Sequence, residues 1–170
     1  MNDKQTVTPK IYFKTVKILF LALVAGQIVF ACVVLFLNQT QRERIAFITP
    51  ELHQTLLWIA PAFAVAGIAL GWVVFNTRLK ALRLKDNMAE KLTGYQSAMI
   101  IRFAFMEGPS LLALALFYIT GDYIFLYVAV FVILAFLFSR PSKPAIILHL
   151  QLHDDERLLL EDPDAFLYER

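Results

Sequence analysis

Cysteine is nearly missing. Cys32 stands alone among 170 residues, which excludes an internal disulfide, a cysteine zinc cluster and a CxxC redox pair. Charge is scarce too: 18% of residues are charged, against about 25% in a globular domain. The basic residues sit beside apolar blocks with no RNA- or DNA-reading motif near them, so nucleic acid is not an expected partner. His53, His149 and His153 all fall outside the apolar blocks. With no nucleophile–base pair, phosphate-cradling glycine loop or dense metal-ligand cluster to read, neither an enzyme nor a cofactor or metal is expected.

What fills the chain is apolar: 59% of residues are hydrophobic, above the roughly 45–50% of soluble domains. They come in blocks at about 18–37, 56–75, 96–118 and 123–138, and blocks of that length point to lipid as the solvent, since 20 helical residues reach roughly 30 Å. The expectation is an all-α integral membrane four-helix bundle over residues 1–138 with a short polar tail over 139–170. The first block is too long for a signal peptide, and no small-x-small cleavage site follows it. Val29-Phe30-Ala31-Cys32 is a poor lipoprotein box, because Phe30 misfits and five apolar residues follow the cysteine, so Cys32 is not expected to be lipidated.

Local chemistry punctuates these blocks. Thr49-Pro50-Glu51 reads as a helix start: a side-chain cap, a proline in the first turn, an acid at the positive end of the dipole. Trp58 and Trp72 are placed as interface anchors of the second block. Ala60, Ala64, Gly67 and Gly71 share one helical face, and small residues at that spacing let another helix approach closely. Gly94 is expected to break a helical tendency running out of the second block. Thr120-Gly121-Asp122 predicts a tight turn and an antiparallel hairpin.

Lysine and arginine set the orientation. Thirteen fall in the N-terminal segment, the connector 76–93 and the tail, against Arg42 and Arg44 alone on the other side. That asymmetry predicts an even number of spans with both termini cytoplasmic, in a bacterial cytoplasmic (inner) membrane. In the tail, Ile146, Leu148, Leu150 and Leu152 alternate with Ile147, His149, Gln151 and His153, which suits a strand, while a helix over 144–153 stays equally open. As a helix it would set His149 and His153 one turn apart near Asp154, without a confident third ligand. The last seventeen residues carry seven acids against Arg157 and Arg170, and this acidic end is expected to dock on the basic connector.

One residue does not belong to this ordinary pattern. Glu107 sits near the middle of the third block, about 15 Å from either water surface, and Gly108 and Pro109 follow it at once. A carboxyl group at that depth is expensive unless protein receives it. On a helix Ala104, Glu107 and Ser110 share a face, with Ala104 and Gly108 leaving room for packing. Arg102 lies about 140° away and roughly 7.5 Å nearer the cytoplasm, suiting an interface anchor rather than a partner. Pro109 removes the helical partner of the Phe105 carbonyl and is a candidate kink. Gln27 is the strongly polar residue of the first block at similar depth. A buried, neutral Glu107 hydrogen-bonded to Gln27 is therefore expected, with Ser110 and the Phe105 carbonyl in support as a candidate ion or proton site.

The pattern Arg102…Glu107-Gly108-Pro109…Gly121, then Arg140-Pro141 and a charged tail, resembles small uncharacterised four-span membrane proteins of Bacteroidota-type bacteria. The resemblance covers mainly the second half and implies no activity. A lone mid-span carboxylate also occurs in the rotor subunit of rotary ATP synthases, but that is a glycine-rich two-span hairpin, and only the physics of the acid is shared. Two functions follow as expectations. The first is a non-enzymatic structural or accessory component of a membrane assembly, whose partners are the lipid bilayer and a second copy or larger complex. The alternative is a transporter or channel component that handles a proton or cation at Glu107.

Overall fold

The computed structural model describes residues 6–40 and 48–169. Lys4, Arg42, Glu43, Arg44 and Arg170, which carry part of the charge asymmetry, lie outside the described residues. Six helices account for most of the chain: α1 (Pro9–Thr40), α2 (Pro50–Arg83), α3 (Met88–Thr120), α4 (Tyr123–Phe138), α5 (Lys143–Leu150) and α6 (Asp154–Glu161). A two-residue strand β1 (Thr6–Val7) pairs antiparallel with β2 (Tyr168–Glu169). Three helices, α1 to α3, are long and apolar enough to cross a membrane. The fourth block is α4, whose 16 residues reach only about 24 Å; α4 and α5 qualify together as a span bent by 79°.

The caps were written into the sequence. Thr49 Oγ1 accepts from the Leu52 amide at 3.3 Å, and Pro50 opens α2. Asp122 caps α4 by accepting from Ile124 at 3.0 Å, after Gly121 turns the chain at a φ of 68°, a left-handed value that favours glycine. Gly94 does not act as expected. α3 begins at Met88, with Asn87 Oδ1 receiving the Ala89 amide at 2.8 Å, and runs straight through Gly94. A Cβ there would collide with Leu82 of α2, so this glycine serves close helix approach, not termination.

The chain divides into two compact units, and the division does not follow the expected boundary after residue 138. One unit comprises Met1–Leu21, Val74–Ile101 and Arg140–Arg170. At 32, 34 and 33 residues, α1, α2 and α3 reach roughly 48–51 Å, beyond the 30 Å or so that hydrocarbon requires. Their extra turns still carry apolar side chains, and the tail covers them: Tyr12, Val16, Leu79, Leu92 and Tyr95 are buried along with Ile146, Leu150 and Leu160. The tail segment left open between strand and helix is the helix α5, capped by Ser142, with Gln151 in the left-handed conformation at its end. Tyr12 Oη donates to the Leu92 carbonyl at 2.9 Å.

The expected docking of the acidic end on the connector is made, through particular residues. Lys91 Nζ meets Glu156 Oε1 at 2.6 Å; Arg83 reaches an earlier part of the tail, its Nε donating to the His149 carbonyl at 2.8 Å. Lys85 turns instead to Glu90 at 3.0 Å.

The other unit comprises Ala22–Val73 and Arg102–Ser139. Its core gathers Val34, Ala60, Leu116, Phe117 and Phe125, with Ala113, Leu114 and Ala129 beside Ala31. Phe103 and Phe136 stack at 4.6 Å between centroids. Outside this core the apolar side chains face outwards: Phe36, Trp58, Phe63 and Trp72 are all exposed. Such a continuous apolar surface suits lipid and not water.

Candidate functional site

The small-residue face of α2 works as read from the sequence. Ala60, Ala64, Gly67 and Gly71 are all buried. A Cβ on Gly67 would stand 2.5 Å from the Phe105 carbonyl oxygen and 2.6 Å from Pro109 Cγ. One on Gly71 would stand 3.2 Å from the Arg102 carbonyl oxygen. The carbonyl that Pro109 deprives of its helical donor is thus covered by the backbone of α2, and α3 runs unbroken through the proline. The α3 residues turned inward are Phe103, Met106, Ser110, Ala113 and Phe117.

This sets Glu107 elsewhere than expected. The inward face of α3 is centred between Met106 and Ser110, about 80° from Glu107, so Glu107 is half-buried on its flank and not buried. Ala104 and Gly108, expected to pack within the bundle, are exposed beside it, and a Cβ on Gly108 would meet nothing within 4 Å. Glu107 makes no hydrogen bond or ion pair among the described residues. The bond expected from Gln27 is not formed: both polar atoms of the Gln27 side chain are buried without a hydrogen-bond partner, as is Ser110 Oγ.

Gln27 and Ser110 nevertheless belong together. Val34 clusters with Phe117, and Ala31, three residues earlier, packs on the cluster that holds Leu114, three residues earlier on α3. The two helices therefore run in the same direction here. One further turn back along each leads to Gln27, 1% exposed, and Ser110, 0% exposed. A carboxamide and a hydroxyl thus share one depth inside the core, where an orphaned polar group costs about 1–3 kcal/mol.

Elsewhere in this unit lie residues that sequence reasoning took for anchors or loops. Arg102, read as an interface anchor, donates from Nη2 to Ser139 Oγ at 3.0 Å, and Ser139 donates on to the Ala135 carbonyl at 3.0 Å. The arginine therefore ties α3 to the end of α4. His53 Nε2 faces Asp122 Oδ2 at 3.3 Å, joining the start of α2 to the start of α4.

The other unit holds a cluster not anticipated from sequence. His149 Nδ1 lies 3.0 Å from Tyr95 Oη, and Phe75 stands edge-on to both rings. His153, instead of joining His149 one turn away, precedes α6, where its amide donates to Glu156 Oε2 at 3.1 Å. The only signal for the cluster was the helical spacing of Leu92, Tyr95 and Met99, which continues the third block backwards past Gly94. No protein-family model, curated protein or solved structure matches this chain.

Proposed function

We propose that this chain is a non-enzymatic four-span protein of a bacterial cytoplasmic membrane, acting as a structural or accessory component of a membrane assembly. The observation that carries the reading is the outward flank of α3. There a half-buried Glu107 stands between exposed Ala104 and Gly108 and has no polar partner among the described residues. In hydrocarbon a carboxyl group demands a donor or a water-filled surface, and a face lined by small residues admits a neighbouring backbone. A second transmembrane helix bringing a hydrogen-bond donor satisfies both conditions. That helix comes from a second copy or from another membrane protein.

Four spans with both termini cytoplasmic are supported by the company the termini keep. Val7 pairs with Tyr168, and both arms share a compact unit with the connector. If those segments lie on one side, the stretches Ala22–Val73 and Arg102–Ser139 must each leave and return. Cysteine crosslinking from Gly108→Cys in a Cys32→Ser background tests the assembly reading in native membranes and after mild-detergent extraction. A discrete crosslinked species, weakened by Glu107→Leu, is expected. A chain that runs alone in both settings would overturn it.

The alternative of ion or proton handling is favoured by the buried pair Gln27 and Ser110, whose side-chain polar atoms find no protein partner. Carbodiimide labelling of Glu107 separates the readings. Protection by one particular cation favours transport, and labelling indifferent to cations favours assembly.

A further inference from the structure

A groove of about 540 Å³ opens on the surface of the unit formed by Ala22–Val73 and Arg102–Ser139. Its walls come from α2, α3 and α4, and its lining changes character from one end to the other. Val65, Ile68, Met106 and Phe131 line the part farther from the end of α4; Trp72, Arg102, Phe138 and Ser139 line the part where α4 ends. Along α2 the lining runs from Val65 to Trp72 and along α4 from Phe131 to Ser139, about 10–12 Å of helix. Among the described residues no carboxylate lines it. The one formal charge is the Arg102 guanidinium, oriented by its bond to Ser139 Oγ at 3.0 Å. At the same end Phe138 is 89% and Trp72 59% exposed, and aromatic side chains in that setting settle at headgroup level.

We propose that this groove is a binding site for one anionic phospholipid, with the headgroup phosphate on Arg102 and an acyl chain along Val65, Ile68 and Phe131. The volume falls within the roughly 300–1,000 Å³ of small-ligand sites, which are mostly apolar with a few placed polar groups. The charge selects the occupant. A purely apolar groove would take any acyl chain, whereas a guanidinium fork at its polar end pairs with phosphate oxygens and adds a charge-assisted bond. A zwitterionic headgroup brings its own cation to the same place and gains less.

The inference rests on the chain being a membrane protein, and not on the Glu107 flank. Failure of the assembly reading would leave it standing, because the readout is lipid kept by the isolated chain.

The test is native mass spectrometry of the full chain in mild detergent with equimolar dioleoyl phosphatidylglycerol and dioleoyl phosphatidylcholine. Retention of one phosphatidylglycerol, preferred about tenfold, is expected, with millimolar inorganic phosphate failing to displace it. Arg102→Gln should bring the ratio to about one, while Arg102→Lys keeps a preference. Ala69→Phe, at an exposed position of the groove wall, should abolish retention of both lipids with the helix content intact. This second variant decides the matter should Arg102→Gln not fold. Equal retention of the two lipids by the native chain, or displacement by inorganic phosphate, would overturn the proposal. So would Ala69→Phe retaining lipid as the native chain does.

Discussion

Lys91 is 5% exposed, and a lysine so covered persists only because Glu156 reaches it at 2.6 Å. Removing the carboxylate strands the ammonium, which costs more than the pair is worth. Because the pair lies close to water, Glu156→Gln is expected to destabilise by about 2 kcal/mol, read as faster hydrogen exchange through α6. The carboxyl also has a direction of titration. Burial by itself pushes Glu156 up. The hydrogen bond from Lys91, the amide of His153 and the charges of Lys91 and His153 more than offset this and hold it below the usual carboxylate range. A lowered folded value means the stabilisation is present in full above the unfolded value of about 4.3 and fades as pH falls through the lower folded one. Acid should therefore release α6 below about pH 4 in the native chain. Glu156→Gln should lack that acid transition, and an identical acid profile in both would show that this pair does not hold the tail.

At the level of helices, glycine has opposite meanings at two positions. Gly67 has the Phe105 carbonyl and Pro109 where a side chain would go. Gly67→Ala is thus expected to cost about 1–3 kcal/mol through overpacking against backbone that cannot yield. Gly108 faces open space, and Gly108→Ala should stabilise the isolated chain by about 0.5–1 kcal/mol through helix propensity. Thermal unfolding in detergent compares them, and a drop in midpoint for both would mean that α3 packs through its Glu107 flank after all. The Gly67 face was legible because small residues at helical spacing admit one physical reading. The same held for Thr49 and Asp122, where a cap and a turn need particular side chains. Gly94 was misread because a glycine that ends a helix and one that admits Leu82 look identical without the neighbour. The tail stayed open between strand and helix for a related reason. Alternation from Ile146 to His153 is a strand pattern, but Ser142, Pro144 and Gln151 impose helix ends that override it. Glu107 was read onto the inward face and stands half-buried on its flank, since one position along α3 from Met106 turns a side chain by about 100°.

For the whole chain, the number of crossings follows from which segments share water. α4 is short for a span at about 24 Å, and counting apolar helices leaves three or four. The compact unit narrows the choice. The Lys10 amide donates to the Pro163 carbonyl at 3.4 Å, Val7 pairs with Tyr168, and Tyr12 donates to Leu92 at 2.9 Å. These contacts join the N-terminal arm, the connector and the tail, three segments that also hold thirteen of the sixteen lysines and arginines. Contact and charge therefore both support the proposed common cytoplasmic location of these segments. In the proposed four-span arrangement the short α4 is accommodated by local thinning of the hydrocarbon or by an upright helix with little tilt, and either costs only fractions of a kcal/mol per Å. Reporter fusions after Phe138 and after Arg170 should both fluoresce as green fluorescent protein and be inactive as alkaline phosphatase. A fusion within 41–47 should show the reverse. Were α4 to turn back without crossing, the fusions after Phe138 and Arg170 would report the external side. The Val7–Tyr168 pairing could not then form in the membrane.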